Sequence, residues 1–361
     1  MKEKSALEFP RRKTVQIRIG DVLIGGGAPI SVQSMTKTDT RNVRSTLAQI
    51  KRLEKEGCQI VRLAVPDAAA AEALGKIKAR ASLPLIADIH FDHRLALTCL
   101  KNGVDGLRIN PGNIGGRKRV EEVVRAARER TVPIRIGVNA GSLEKDLLAR
   151  YGGATAAAMA ESALRHIGIL EDLDYRLIKV SLKASDVPRT VEAYRRLAEK
   201  VDYPFHGGIT EAGGLLRGSI KSAAGIALLI GEGLADTIRV SLTAPPEQEV
   251  RVAYRILGSL GLSRRGPVVS SCPACGRSET DLAGIAARIE KALNSSEIPM
   301  TVAVMGCMVN GPGEAREADL GVACGRGNGV LFKGGKVLAR VAEKDIVPAL
   351  LREIERMKTR P

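Results

Sequence analysis

Aromatic residues are nearly missing from this sequence of 361 residues, which has four phenylalanines, five tyrosines and no tryptophan. Single-stranded nucleic acids are held by stacking their bases on aromatic rings, so the scarcity argues against that role. It also means that the core must be aliphatic, and 44% of the chain is hydrophobic. Long apolar runs are missing too. The longest, Ala223 to Ile230, is far too short to span a bilayer, and the opening stretch MKEKSALEFPRRK holds no apolar segment of the signal-peptide kind. A cytoplasmic protein without membrane spans is the expectation. Histidine does not occur beyond His206, so the C-terminal part cannot build a zinc site of three cysteines and one histidine from its own residues. No glycine-rich dinucleotide loop follows the first predicted strand.

What the chain does have is regular alternation. After a hairpin-like start (Val15 to Ile19, then Val22 to Ile24), short apolar runs precede helical patterns at ISVQSM, IVRLAV, LPLIADI, GLRIN, PIRIGVN, LIKVSLK, PFHGGIT and TIRVSL. Between them the helical period is legible, with Val43, Leu47, Ile50 and Leu53 on one face and Val120, Val123, Val124 and Ala127 on another. Eight strand-helix units in tandem predict a TIM-type (β/α)₈ barrel over residues 1–262, in preference to an open doubly wound sheet. A stretch of glycine, proline and charge, GSLGLSRRGP, then predicts a linker. Residues 263–361 read as a small α/β module: a strand into CPACGR, a helix around Asp281 to Leu293, the strand MTVAVMG, a Gly/Pro-rich loop, a hairpin through LFKGGKVLARV, and a last helix from Glu343.

Barrel active sites lie where strands end and loops begin. Inward-facing positions there bring Arg62, Asp88, His90, Arg108, Asn110, Arg135, Asn139, Lys179, Ser181, Lys183, His206, Thr210, Glu211, Arg239 and Ser241. So many cations in one mouth require a compensating anion. Guanidinium groups match phosphate oxygens with paired hydrogen bonds, so Arg62, Arg108, Arg135 and Arg239 point to a diphosphate. The loop NPGNIGG, Asn110 to Gly116, offers backbone N–H donors. The competing reading pairs these cations internally, with Asp88 or Glu211 as partners. The formal net charge of +16 fits an anionic substrate or acidic partner, and equally a solvated surface.

Six cysteines in a chain of this kind suggest metal binding, catalysis or core packing before disulfides. Cys272 and Cys275 form a CxxC, and Cys307 follows within MGCMVNGPGE. Thiolates suit zinc or an iron-sulfur cluster alike, and spacing leaves Cys324 and Glu314 both open as fourth ligand. Cys58 and Cys99 fit the role of small buried hydrophobes.

The segments GGGAPISVQSMT, ADIHFD, RINPGNIG, GITEAGG, SSCPACGR and GCMVNGPGEA together resemble the 4-hydroxy-3-methylbut-2-en-1-yl diphosphate synthase family, in its bacterial two-domain form, from about Arg11 to Val341. The resemblance implies a barrel followed by an iron-sulfur domain resembling the sulfite and nitrite reductase type. It implies a 4Fe-4S cluster on Cys272, Cys275, Cys307 and Glu314. The implied reaction is the reductive ring opening and dehydration of 2-C-methyl-D-erythritol 2,4-cyclodiphosphate in isoprenoid biosynthesis. Arg62, His90, Arg108, Arg135, Asn139, Lys183, Arg239 and Ser241 then resemble the diphosphate clamp. Thr210 and Glu211 resemble the pair near the substrate hydroxyls, with Glu211 as proton donor. The same likeness implies ferredoxin or flavodoxin as electron donor, and a homodimer whose active site is shared between subunits. A sugar-phosphate lyase or isomerase barrel with a structural zinc module is the alternative, and a basic zinc-bearing nucleic-acid binder a third.

Overall fold

A computed structural model describes residues 9–358 except Arg264, Glu279, Asn294, Ser295, Glu297, Met308 and Asn310. Part of the opening stretch weighed above, and two residues of the motif around Cys307, therefore lie outside the described residues. The chain divides into two compact units between Ile256 and Leu257.

The first unit opens with a hairpin of β1 (Ile17–Ile19) and β2 (Val22–Ile24). Eight parallel strands follow: β3 (Ser31–Met35), β4 (Ile60–Ala64), β5 (Leu85–Asp88), β6 (Gly106–Arg108), β7 (Ile134–Asn139), β8 (Ile178–Lys183), β9 (His206–Gly207) and β10 (Thr237–Ile238). Their order in the sheet runs β8 to β3 and then β10 and β9. A bridge from Val180 to Phe205 brings β8 to the chain entering β9, so the sheet closes on itself. Helices α1 (Val43–Lys55), α2 (Ala68–Lys78), α3 (His93–Lys101), α4 (Arg117–Glu129), α5 (Lys145–Tyr151), α6 (Ala156–Glu171), α7 (Val187–Ala198), α8 (Leu215–Gly231) and α9 (Pro246–Ser259) lie between and after the strands.

Local chemistry starts these helices where the pattern predicts. Asn42, Asp67, Asp92, Thr155 and Asp186 each cap a helix by accepting a backbone N–H of its first turn. The eight expected strands are all present, but β9 and β10 are shorter than their apolar runs. After β9 the backbone turns at Gly208, with φ 152°, where a Cβ would stand 2.3 Å from the Arg239 carbonyl oxygen. The polar residues beyond these short strands therefore sit on loops. At the opposite end, Ile17, Ile19 and Ile24 of the hairpin pack on Ile60 and Ile86.

The second unit is one five-stranded sheet. Strands β11 (Val268–Ser271), β12 (Thr301–Met305) and β13 (Leu320–Gly325) are parallel neighbours, and β14 (Asn328–Lys333) and β15 (Lys336–Ala342) continue antiparallel. Alternation along the strands makes two cores. Val302, Val304, Val322 and Leu331 face α10 (Leu282–Leu293) and α12 (Ile346–Lys358), while Ala303, Met305, Ala323 and Phe332 face Ala315 of α11 (Gly311–Glu317). Two features depart from expectation. Gly311 to Glu317, predicted as part of a loop, is helical; Pro312 suits a first turn, where its missing N–H has no partner to lose. The buried strand β13 was not anticipated, because LGVACG is a short apolar run without a period of its own.

Candidate active site and cysteine centre

Strand register builds the barrel mouth. Asp88, Arg108, Arg135 and Lys179 lie side by side across β5 to β8, and Asn139 pairs with Lys183 two pleats further along. Asp88 lies 3.5 Å from Arg62, 3.3 Å from Arg108 and 3.6 Å from His90. Burial alone would raise its carboxyl, yet Arg62, Arg108 and Arg135 outweigh it and hold the group below the ordinary range. Arg108 donates to the Gly137 carbonyl at 2.8 Å and to His90 Nε2 at 2.7 Å. Its guanidinium lies over Gly137, where a Cβ would stand 2.6 Å from Nε. Burial and Arg108 lower the pKa of His90, so its ring accepts this bond in the neutral form.

Arg135 donates to Ser181 Oγ at 3.2 Å. Lys179 and Lys183 are buried, and both ammonium groups are pushed well down, by burial first and then by neighbouring guanidinium groups. Burial pushes Arg239 down to about 10, with Arg62 adding and Glu249 opposing. The internal-pairing reading holds for part of this set: Asp88 serves Arg62 and Arg108, and Glu249 lies 3.8 Å from Arg239. Arg135, Lys179 and Lys183 have no carboxylate partner among the described residues. Buried donors left unbonded include Arg135 Nε, Lys179 Nζ and Arg239 Nε. A mouth with this excess of positive charge fits a polyanion.

Other candidates lie on the rim. Thr210 is half-buried, its amide bonded to the Ala184 carbonyl, and Glu211 is exposed with φ 51°, a strained value for a residue with a side chain. Glu211 is thus not the internal counter-ion that the sequence offered as one choice. Asn139, the last residue of β7, and Ser241, on the loop after β10, are half-buried. Asn110 brackets Gly137, accepting its N–H at 2.9 Å and donating to its carbonyl at 3.0 Å.

One charged residue bracing the mouth escaped sequence reasoning. Glu249, in the first turn of α9, is buried and accepts Leu242 N–H at 3.0 Å and the Lys37 ammonium at 3.0 Å, bracing the segment that carries Arg239 and Ser241. The available signal was an acidic first turn, PEQE, just after the last strand.

In the second unit, Cys272 follows β11 and Cys307 lies just beyond β12, so parallel pairing sets both at one end of the sheet. Cys272 Sγ accepts Gly306 N–H at 3.2 Å. Hydrogen bonds from Arg277 hold the exposed Cys275 thiol below its ordinary range, and Cys307 is near enough to oppose this. Ala274 between the paired cysteines has φ 52°. Glu314 is exposed in the first turn of α11. Cys324 is fully buried in β13, and burial pushes its thiol up to about 11. Cys58 and Cys99 are buried in the barrel with thiols pushed up to about 12. Among the described residues no group of three His, Cys, Asp or Glu side chains is gathered tightly enough to hold a metal ion. The donor chemistry nonetheless suits an iron-sulfur cluster: thiols at one sheet end, one receiving a backbone N–H and another held toward thiolate. No helix among the described residues is long and apolar enough to cross a membrane.

Comparison with known proteins sharpens this picture. A family model described as the GcpE TIM-barrel domain matches residues 14–254, and one described as the GcpE protein C-terminal domain matches residues 268–356. A 4-hydroxy-3-methylbut-2-en-1-yl diphosphate synthase (flavodoxin) of Geobacter sulfurreducens is 60% identical over 96% of this chain and 98% of its own. Proteins of the same description from Dehalococcoides mccartyi and Thermodesulfovibrio yellowstonii are 59% and 57% identical, over 95% and 96% of this chain and 98% and 99% of theirs.

Proposed function

This chain belongs to the GcpE family, and from that membership we propose that it reduces 2-C-methyl-D-erythritol 2,4-cyclodiphosphate to 4-hydroxy-3-methylbut-2-enyl diphosphate. It is an oxidoreductase of isoprenoid precursor biosynthesis. The observation that carries the reading is the barrel mouth, whose inward cations outnumber the carboxylates that pair with them.

In this reading Arg62, Arg108, Arg135, Lys183 and Arg239 take the diphosphate oxygens, with His90, Asn139 and Ser241 completing the clamp. Burial has already stripped these cations of water, so the anion restores what the fold removed. Thr210 and Glu211 face the hydroxyl-bearing side, and Glu211 hands a proton to the hydroxyl that leaves as water. Counted as free acids, two electrons and two protons convert the cyclic diphosphate to the linear one and water. A 4Fe-4S cluster held by Cys272, Cys275, Cys307 and Glu314 would supply the electrons and a Lewis-acid iron, the carboxylate being its hard, exchangeable ligand. The barrel unit would thus bind substrate and the second unit the cluster.

Flavodoxin, named in the relatives' descriptions, is the proposed donor, with ferredoxin the other acidic carrier suited to a net charge of +16. The enzyme works as a cytoplasmic homodimer in this proposal. Exposed apolar side chains on α8, among them Leu216 and Ile220 one turn apart, support association. Protein purified without oxygen should contain iron and sulfide and consume the cyclic diphosphate with reduced flavodoxin. Zinc bound by four sulfurs, with no turnover, would instead support the sugar-phosphate lyase reading.

A further inference from the structure

The turn after β6 is tied down at two points near its start. Asn110 brackets the backbone of Gly137 in β7, as described above. At its other side, the Gly112 N–H points to Nδ1 of His166 at 3.1 Å. His166 stands on α6 and is buried, 3% exposed as a residue. Its second nitrogen, Nε2, lies 3.1 Å from Glu144 Oε1, and the Ser162 hydroxyl donates to that same oxygen at 3.1 Å. The contact with Gly112 requires glycine, since a Cβ there would lie 2.8 Å from His166 Cε1.

These bonds define the ring's proton. An amide can only donate, so Nδ1 must be bare and the ring hydrogen must sit on Nε2, facing Glu144. Burial favours the neutral ring and Arg108 and Arg165 add to it, against the pull of Glu144. The imidazole therefore joins the β6 turn to the segment entering α5, from a third element. Neither Gly112 nor His166 is a charged group of the diphosphate clamp.

We propose that His166 is a positioning residue for the reaction: its bare Nδ1 holds the Gly112 amide, and so keeps the 110–116 turn in the shape that presents backbone N–H groups to the diphosphate. This rests on the reading of the mouth as a diphosphate site. The ring does not touch substrate. It fixes a loop whose rearrangement would otherwise accompany every binding event, so its loss appears in KM and leaves kcat nearly alone.

Amide isosteres separate this role from packing. In His166→Asn the side-chain oxygen occupies the position of Nδ1 and still accepts the Gly112 N–H, while the bond to Glu144 is lost. In His166→Gln the amide reaches the position of Nε2, keeping Glu144 and abandoning Gly112. Full-length, cluster-loaded enzyme is assayed with the cyclic diphosphate and reduced flavodoxin, and hydrogen exchange is followed in peptides covering 110–116. His166→Gln should speed exchange there and raise KM about five- to ten-fold, with kcat within about two-fold. His166→Asn should stay within about two-fold of the parent in both readouts. Equal KM values for the two variants, raised or not, overturn the proposal. If either variant does not fold, Gly112→Ala, which pushes the ring away from an unaltered His166, decides it: a raised KM with kcat preserved supports the role, and an unchanged KM refutes it. A parent enzyme that fails to bind the cyclic diphosphate refutes the reading of the mouth, while the exchange arm still decides whether His166 holds the turn.

Discussion

The barrel mouth and the cysteine end of the second unit solve the same problem, gathering charged or soft ligating groups, in opposite ways. In the mouth most of the groups stand on strands, buried and braced: Asp88 between Arg62 and Arg108, and Gly137 making room for Arg108, while Glu249 of α9 braces Arg239 just beyond β10. At the cysteine end the proposed ligands stand after strands or in a first helical turn, with Cys275 and Glu314 exposed and Cys272 and Cys307 half-buried. A site on strand backbone is preorganised by the fold. One on strand exits depends on its ligand for the last part of its order, as metal sites coupled to folding do.

The largest effect should come from the cysteine end and remain there. Cys307→Ala should lower turnover about 1,000-fold and remove iron, while the barrel still binds the cyclic diphosphate by calorimetry. Loss of that binding would mean the two regions are not independent. Next is Asp88→Asn, which leaves buried guanidinium groups without their counter-ion and should destabilise the barrel by about 3 kcal/mol in chemical denaturation. The folded Asp88 carboxyl titrates below its unfolded value of about 3.9. Its stabilisation is therefore fully present above that pH and is lost as pH falls through the lower folded value. The acid limb of the stability curve should be shallower in Asp88→Asn.

Gly137→Ala should cost about 1–3 kcal/mol and raise KM, because the new methyl group displaces the Arg108 guanidinium. An unchanged KM would show that Arg108 need not lie over β7 to bind the diphosphate. The smallest effect belongs to Cys58→Ala: a buried thiol pushed up to about 12 and remote from ligation should change stability by about 1 kcal/mol or less and leave cluster content intact. A substantial drop in iron would move Cys58 from packing to ligation.

The barrel was legible because its signal is repetitive. All eight apolar runs became strands, since a run bounded by turn residues and followed by an amphipathic helix has few other folds available. The cations were legible for the same reason, as a fixed strand period places alternate residues inward. Glu249 was not, because its role depends on α9 folding back on strand ends that are far away in sequence. Ser34 of β3 and Lys37 just beyond that strand reach it from more than 200 residues earlier. In the second unit, a helix beginning GPGE carries the chemistry of a turn in its first residues, and β13 is too short to declare a period.

The residues themselves determined the βα alternation, the aliphatic core and the kinds of group that face inward, because each follows from spacing within one segment. Only tertiary structure decided which charges are compensated, which thiols are buried and which nitrogen of His166 is bare. Those properties belong to pairs of groups brought together by barrel closure and sheet order, and desolvation sets their strength only after the chain has folded.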